Sequence, residues 1–257
     1  MTVHICRFAA LDNPRPQYGI LDYDRIQVID TDPFDNGDIT ASTGSYDLKD
    51  VRLLAPCSPT KIVAVGLNYR DHAAELGMKI PEEPLIFLKP STCVIGPGDK
   101  IVIPSMSKRV DHEAELGIVI GKKAKNISDK EAMDVIMGFT CLNDVTARDL
   151  QYKDVQFTRA KSFDTFCPIG PSIVKGIDPS SLDITCTVNG EIRQSSNTSN
   201  LIHSVPEVVS FISRIMTLLP GDVIATGTPP GISQLNHGDT VTVTIKHIGS
   251  LTNPVSA

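Results

Sequence analysis

At 257 residues the chain is long enough to bury a sizeable core without disulfide or metal staples, as one large or two small domains. Its 41% hydrophobic and 21% charged residues exclude a disordered or low-complexity protein. A net charge of −6, with no basic run longer than the Lys122, Lys123, Ala124, Lys125 stretch, excludes a nucleic-acid-binding surface, and no apolar run approaches the roughly 18 residues that a bilayer requires.

The first residues have neither a basic segment nor an apolar one of the kind a secretion signal needs. The six cysteines (Cys6, Cys57, Cys93, Cys141, Cys167 and Cys186) form no CxxC pair. Together these features predict a cytoplasmic protein with buried free thiols. In chain order, apolar pieces at 5–11, 18–21 and 25–29 come first, followed by a polar stretch at 31–50. They predict a small β-rich N-terminal unit over residues 1–56, bounded by Pro56 and Pro59, with residues 57–257 forming the main domain. Strands are expected at 61–65, 85–88, 100–103, 113–120, 183–188, 223–226 and 240–245, the last with period-2 alternation of Val241, Val243 and Ile245 against threonines. Pro97-Gly98-Asp99 and Pro220-Gly221-Asp222 are turns that feed strands.

Helices are few. One is expected over 69–76 before Gly77, and one from the Ser128/Glu131 capping box to about Met137. Another follows Asp144 through Gln151. The fourth opens at the Ser204/Glu207 capping box, with Val208, Phe211, Ile212, Ile215 and Leu219 at helical spacing. Because strands and helices do not alternate regularly, the expected class is α+β, mostly β. Phosphate-binding glycine loops, a nucleophile elbow and a zinc-protease motif are all absent from the sequence.

The informative stretch is Asp111-His-Glu113-Ala-Glu115-Leu-Gly117. Residues two apart on a strand share a face, so Glu113 and Glu115 point together. Such a pair is either a solvated strand end or one arm of a cation site, since two buried carboxylates repel each other. His112 falls on the opposite face, as a structural histidine. Asp144 closes a further apolar strand, either as an N-cap or as a third ligand. Three carboxylates without Cys or His make a hard oxygen site that favours Mg²⁺, Mn²⁺ or Ca²⁺ over Zn²⁺. His72 and Glu75, at i and i+3, are either an exposed pair or a histidine oriented by a carboxylate for base work. Lys161 is either a surface lysine or a cation for a substrate carboxylate or enolate.

With these residues stand further blocks: Gly66-Leu-Asn-Tyr69, Asp144-Val-Thr-Ala-Arg148-Asp149, Lys161-Ser-Phe-Asp-Thr-Phe-Cys-Pro168 and Pro220-Gly-Asp-Val-Ile-Ala-Thr-Gly-Thr228-Pro-Pro-Gly231. In this ordered set the chain resembles the fumarylacetoacetate hydrolase superfamily, from about Lys61 to Asn253. It is most similar to the short members: acylpyruvases, oxaloacetate decarboxylases or tautomerases, and homoprotocatechuate-pathway isomerase-decarboxylases. The resemblance implies a mixed β-roll catalytic domain, a homodimer, and Mg²⁺ or Mn²⁺ (Ca²⁺ as a substitute) held by Glu113, Glu115 and Asp144. It also implies a His72–Glu75 dyad on a lid, Lys161 beside the reacting carbonyl, and Arg148 and Thr228 as substrate contacts. The activity implied is C–C cleavage of a small 2-oxo acid through an enolate: hydrolysis of acylpyruvate-type substrates or decarboxylation of oxaloacetate. The same site would serve as an oxaloacetate keto–enol tautomerase or a 2-hydroxyhepta-2,4-diene-1,7-dioate isomerase. A non-catalytic metal-binding scaffold would need the three carboxylates but not His72, Glu75 or Lys161.

Overall fold

The computed structural model describes residues 2–35 and 39–257; residues 36–38 of the polar 31–50 stretch lie outside the described residues. Strand makes up about 45% of the chain and helix about 18%, so the architecture is mostly β. The large sheet runs from edge to edge through Ala41–Asp47, Arg25–Ile29, Asn13–Asp22, Val3–Ala10, Cys167–Lys175, Ile136–Asn143, Ala114–Ile120, Val223–Ala225, Lys61–Gly66 and Leu85–Pro90. Val51–Leu54 pairs with Val3–Ala10, and Val94–Ile95 with Cys167–Lys175. A second sheet orders Glu191–Asn197, Asp183–Val188, Thr240–Ile245, Gly249–Ser256 and Ile101–Val102. A small third one places Val110–Asp111 between Thr146–Ala147 and Gln234–Leu235.

Burial explains which residues form which strand. Along Thr240–Ile245 the valines and Ile245 are buried while the threonines face out, the mark of a sheet covered on one side. Along Ala114–Ile120 every residue is buried, because the strand lies inside the large sheet between Ile136–Asn143 and Val223–Ala225. The N-terminal strands extend that sheet rather than forming one of their own: Val3–Ala10 runs antiparallel to Cys167–Lys175, with Ile5 opposite Ile173. Ile5 and Ile29 join the main core, whereas Cys6, Phe8 and Ile26 pack in a small cluster beside it.

The helices are shorter than their periodicity implies. The Ser128/Glu131 capping box is present, but the helix ends at Val135 because Ile136 enters a core strand. Val205–Ile215 also starts on its capping box; Ile215 is exposed and Leu219 lies beyond the helix end. The expected helix after Asp144 begins only at Arg148, since Thr146–Ala147 are extended against Val110–Asp111. Asp144 therefore caps no helix. Among the described residues, no helix is long and apolar enough to cross a membrane.

All six cysteines are free and buried. Burial pushes the thiols of Cys6, Cys57, Cys141 and Cys186 up to about 12. Since only the thiolate reacts, a chromogenic disulfide reagent at pH 8 is expected to leave these four untouched until denaturant is added. Mass mapping of fast modification at any of the four in native protein would contradict this packing.

Candidate active site

The site sits at one end of two neighbouring core strands. Ala114–Ile120 and Ile136–Asn143 pair with Ala114 opposite Asn143, so Glu113, just before the first strand, lies beside Asp144, just after the second. Their backbones are clasped: the Asp144 N–H donates to the Glu113 carbonyl (2.8 Å), and the Glu113 N–H to Asn143 Oδ1 (2.9 Å). Glu115 follows two residues on. All three carboxylates are buried, and each offers an oxygen within 4.8 Å of the others.

Three buried like charges need compensation. Lys161 Nζ donates to Glu113 Oε2 (2.7 Å) and to Asp144 Oδ2 (2.6 Å). Lys89 donates to Asp144 Oδ1 and Arg148 Nη2 to Glu113 Oε1. Burial alone would raise Glu113, but the Lys161 and Arg148 charges override it and hold the carboxyl at about 2. Glu115 is placed differently. Among the described residues it receives one backbone N–H, from Gly227 (2.7 Å), and no cation within salt-bridge distance. Burial, then the Asp144 and Glu113 charges, push it well above the usual carboxylate range. Gly227 can approach this closely because it has no side chain: its φ is +99°, and a Cβ there would stand 2.8 Å from Asn68 Cβ.

A cavity of about 350 Å³ opens over these carboxylates, and His72, Arg148, Lys161 and Thr228 also line it. Its apolar rim includes Met78, Leu85, Phe87 and Phe157. His72 and Glu75 lie on the short helix Arg70–Leu76, where His72 Nδ1 meets Glu75 Oε2 at 2.8 Å. The partly exposed Glu75 is held in turn by the Gly231 N–H (3.2 Å). A carboxylate at Nδ1 selects the tautomer with its proton there, which leaves Nε2 as the basic nitrogen. The helix is anchored by buried Asn68, which donates to the carbonyls of His203 (3.1 Å) and Thr226 (2.8 Å). Asp71 also anchors it, accepting from Ser196 Oγ (2.6 Å).

The structure thus brings His72, Glu113, Glu115, Asp144, Arg148, Lys161 and Thr228 to one cavity, with Glu75 behind His72. Lys161 is no surface lysine; it is 2% exposed. The Thr228 hydroxyl donates to the Ala114 carbonyl (2.9 Å) and accepts from Gln194 Nε2 (2.8 Å). His112 is structural as expected, buried between Gln194 Oε1 (3.0 Å) and Ser233 Oγ (2.8 Å). Sequence reasoning missed Lys89. It is buried, and it is the one charged residue of an otherwise apolar strand, Leu85–Pro90, the only local signal that it has a buried partner. The donor set fits a hard divalent cation: all oxygen, with no nitrogen or sulfur ligand, and with the Glu115 carboxylate lacking a positive partner among the described residues.

This fold and this carboxylate site define an enzyme class, and the chain belongs to the fumarylacetoacetate hydrolase family. The "Fumarylacetoacetate (FAA) hydrolase C-terminal" family matches residues 61–256, and the "Rv2993c-like, N-terminal" family matches residues 3–56. Among its relatives is the mitochondrial oxaloacetate tautomerase fahd2 of Xenopus laevis, 38% identical over 99% of this chain and 91% of that one. The solved 2-hydroxyhepta-2,4-diene-1,7-dioate isomerase from Mycobacterium marinum superposes with a TM-score of 0.91 at 42% identity, covering 99% of this chain and 98% of that chain. The 5-carboxymethyl-2-hydroxymuconate delta-isomerase from Mycobacterium smegmatis does so at 0.91 and 45%, covering 98% and 99%.

Proposed function

We propose that this chain is a divalent-metal-dependent tautomerase or isomerase of small 2-oxo acids, with oxaloacetate as the first substrate to try. The observation that supports this reading most is a carboxylate triad and the His72 of a histidine–carboxylate dyad lining one cavity, with Lys161 paired to two of the triad's carboxylates. Glu113, Glu115 and Asp144 would hold Mg²⁺ or Mn²⁺. When bound, the ion acts as a Lewis acid toward the 2-oxo group. His72 Nε2 is the base that takes a proton from the carbon next to that group and, as the imidazolium, delivers it to the enolate oxygen in keto–enol exchange or to a more distant carbon in isomerisation, while Glu75 fixes the ring and stabilises the imidazolium. Two of the three Lys161 N–H groups are spent on carboxylates, so one is left to hold negative charge developing on the substrate oxygen. Arg148 spends three of its five donors on Asp111, Glu113 and Gln151 and keeps two for a substrate carboxylate. The tautomerase and the two isomerases named above agree with proton transfer.

A second reading, C–C cleavage, rests on one feature. His72 Nε2 has no protein partner among the described residues, and a cavity of about 350 Å³ leaves room for a water beside a small acid. A base that removes a proton from carbon can equally activate that water.

The test is incubation with Mg²⁺ or Mn²⁺ and oxaloacetate, following enol absorbance and pyruvate release together, with EDTA and protein-free metal controls, each rate being taken above that of the metal alone. Fast, EDTA-sensitive enol decay without pyruvate supports the tautomerase. EDTA-sensitive pyruvate release would instead establish a decarboxylase, and activity on acylpyruvates alone a C–C hydrolase. His72→Ala is expected to lower kcat by about 10²–10⁴-fold while leaving Mn²⁺ affinity, measured by titration, unchanged. Loss of Mn²⁺ binding in this variant would make His72 a ligand instead.

A further inference from the structure

Asp111 is fully buried, yet it lies outside the carboxylate triad and does not line the cavity. Both of its oxygens are occupied by guanidinium groups. Arg109 Nε donates to Oδ1 (2.9 Å) and Arg109 Nη2 to Oδ2 (3.2 Å), while Arg148 Nε donates to Oδ2 (2.9 Å). From Arg148 the chain of opposite charges continues, through Nη2, to Glu113 Oε1. The backbone follows the same path: Val110–Asp111 pairs with Thr146–Ala147, and the Arg148 N–H donates to the Arg109 carbonyl (2.8 Å). Asp111 and Arg148 are therefore set against each other by both main chain and side chain.

We propose that Asp111 is a positioning residue for the metal site, acting through Arg148; this rests on the reading of Glu113, Glu115 and Asp144 as metal ligands. An arginine free to turn would compete with a cation for both oxygens of Glu113. Asp111 accepts from Nε and Gln151 from Nη1, so Nη2 is left directed at Glu113 Oε1. Glu113 is thereby held with Oε2 turned toward Asp144, the two sharing the Lys161 ammonium. Fixing a ligand's orientation from behind in this way typically accounts for about 10–100-fold in metal affinity.

The test is a double-mutant cycle on the full chain with D111N, R148K and the double variant, reading Mn²⁺ affinity by titration without substrate, together with melting in EDTA. D111N is expected to bind Mn²⁺ about 10–100-fold more weakly. R148K keeps the buried charge but cannot bridge two carboxylates in the fixed geometry of arginine, and is expected to lose a similar factor. The double variant should then be little worse than either single one, because both changes break the same device. A merely structural Asp111 would lower the melting temperature and leave the Mn²⁺ affinity of the folded protein alone. Wild-type affinity in D111N, or losses that add in the cycle, would overturn the proposal. If D111N does not fold, R148K decides alone, and wild-type affinity there overturns it. Wild-type protein that takes up no Mn²⁺ overturns the metal reading and this proposal with it; an unchanged D111N beside a binding wild type overturns only this proposal.

Discussion

Glu113→Gln is expected to abolish turnover, by about 10³-fold or more, and to remove measurable Mn²⁺ binding, while the chain stays folded. The substitution is nearly isosteric and leaves the backbone clasp to Asn143 and Asp144 intact. It removes the one carboxylate that both Lys161 and Arg148 hold ionised, at about 2. Two effects then coincide: a cation loses an anionic ligand, and two buried cations lose their shared partner. Steady-state kinetics with Mn²⁺ and a direct Mn²⁺ titration check this together. Retained activity would mean that the three carboxylates are not a metal site.

Asp222→Ala is expected to be the most destabilising single change away from the active site, at about 3–5 kcal/mol, or a fall of roughly 10 °C in Tm for a chain of this size. Asp222 is fully buried and gathers five donors: the N–H groups of Thr60 (3.2 Å), Lys61 (3.2 Å) and Leu219 (2.8 Å), the Thr60 hydroxyl (2.6 Å) and the Lys61 ammonium. These ties lock the starts of two adjacent parallel strands, Lys61–Gly66 and Val223–Ala225. Alanine strips all five donors of their acceptor at once; the Lys61 ammonium and the Thr60 hydroxyl can still reach water, but the buried end of the strand pair loses the carboxylate that ties it. Thermal melts of the variant against wild type check the value, and a change under about 1 kcal/mol would show that water replaces the carboxylate.

Where a strand is covered on one face or carries simple apolar runs, its limits were legible, as at Arg25–Ile29 and Thr240–Ile245. Cys167–Lys175 was not. Two prolines and a glycine interrupt it and no strand is expected there from the sequence, yet it forms a strand in the middle of the large sheet. The prolines cost it ladder bonds, and its pairing with Ile136–Asn143 shifts register between Phe139 and Cys141. The site divides in the same way. Glu113 and Glu115 announce themselves by spacing, and His72 with Glu75 by helical periodicity. Lys89 is 55 residues from Asp144, and that distance leaves no trace in local pattern. Asp111 was visible as a letter of its motif, but its work depends on an arginine 37 positions away.

The carboxylates stand at the ends of core strands, whereas much of the cavity mouth is built from side chains half or more open to solvent, among them Met78, Leu85 and Tyr152. Mutation therefore meets two very different surfaces. At the strand ends, a change disturbs the ion pairs of a packed interior and weakens site and fold together. At the mouth it disturbs little packing, so variation can accumulate there and alter which acid enters without threatening the fold. Such a layout lets one inherited chemical centre be fitted to new substrates by rim substitutions alone, each tolerated singly and selectable at once.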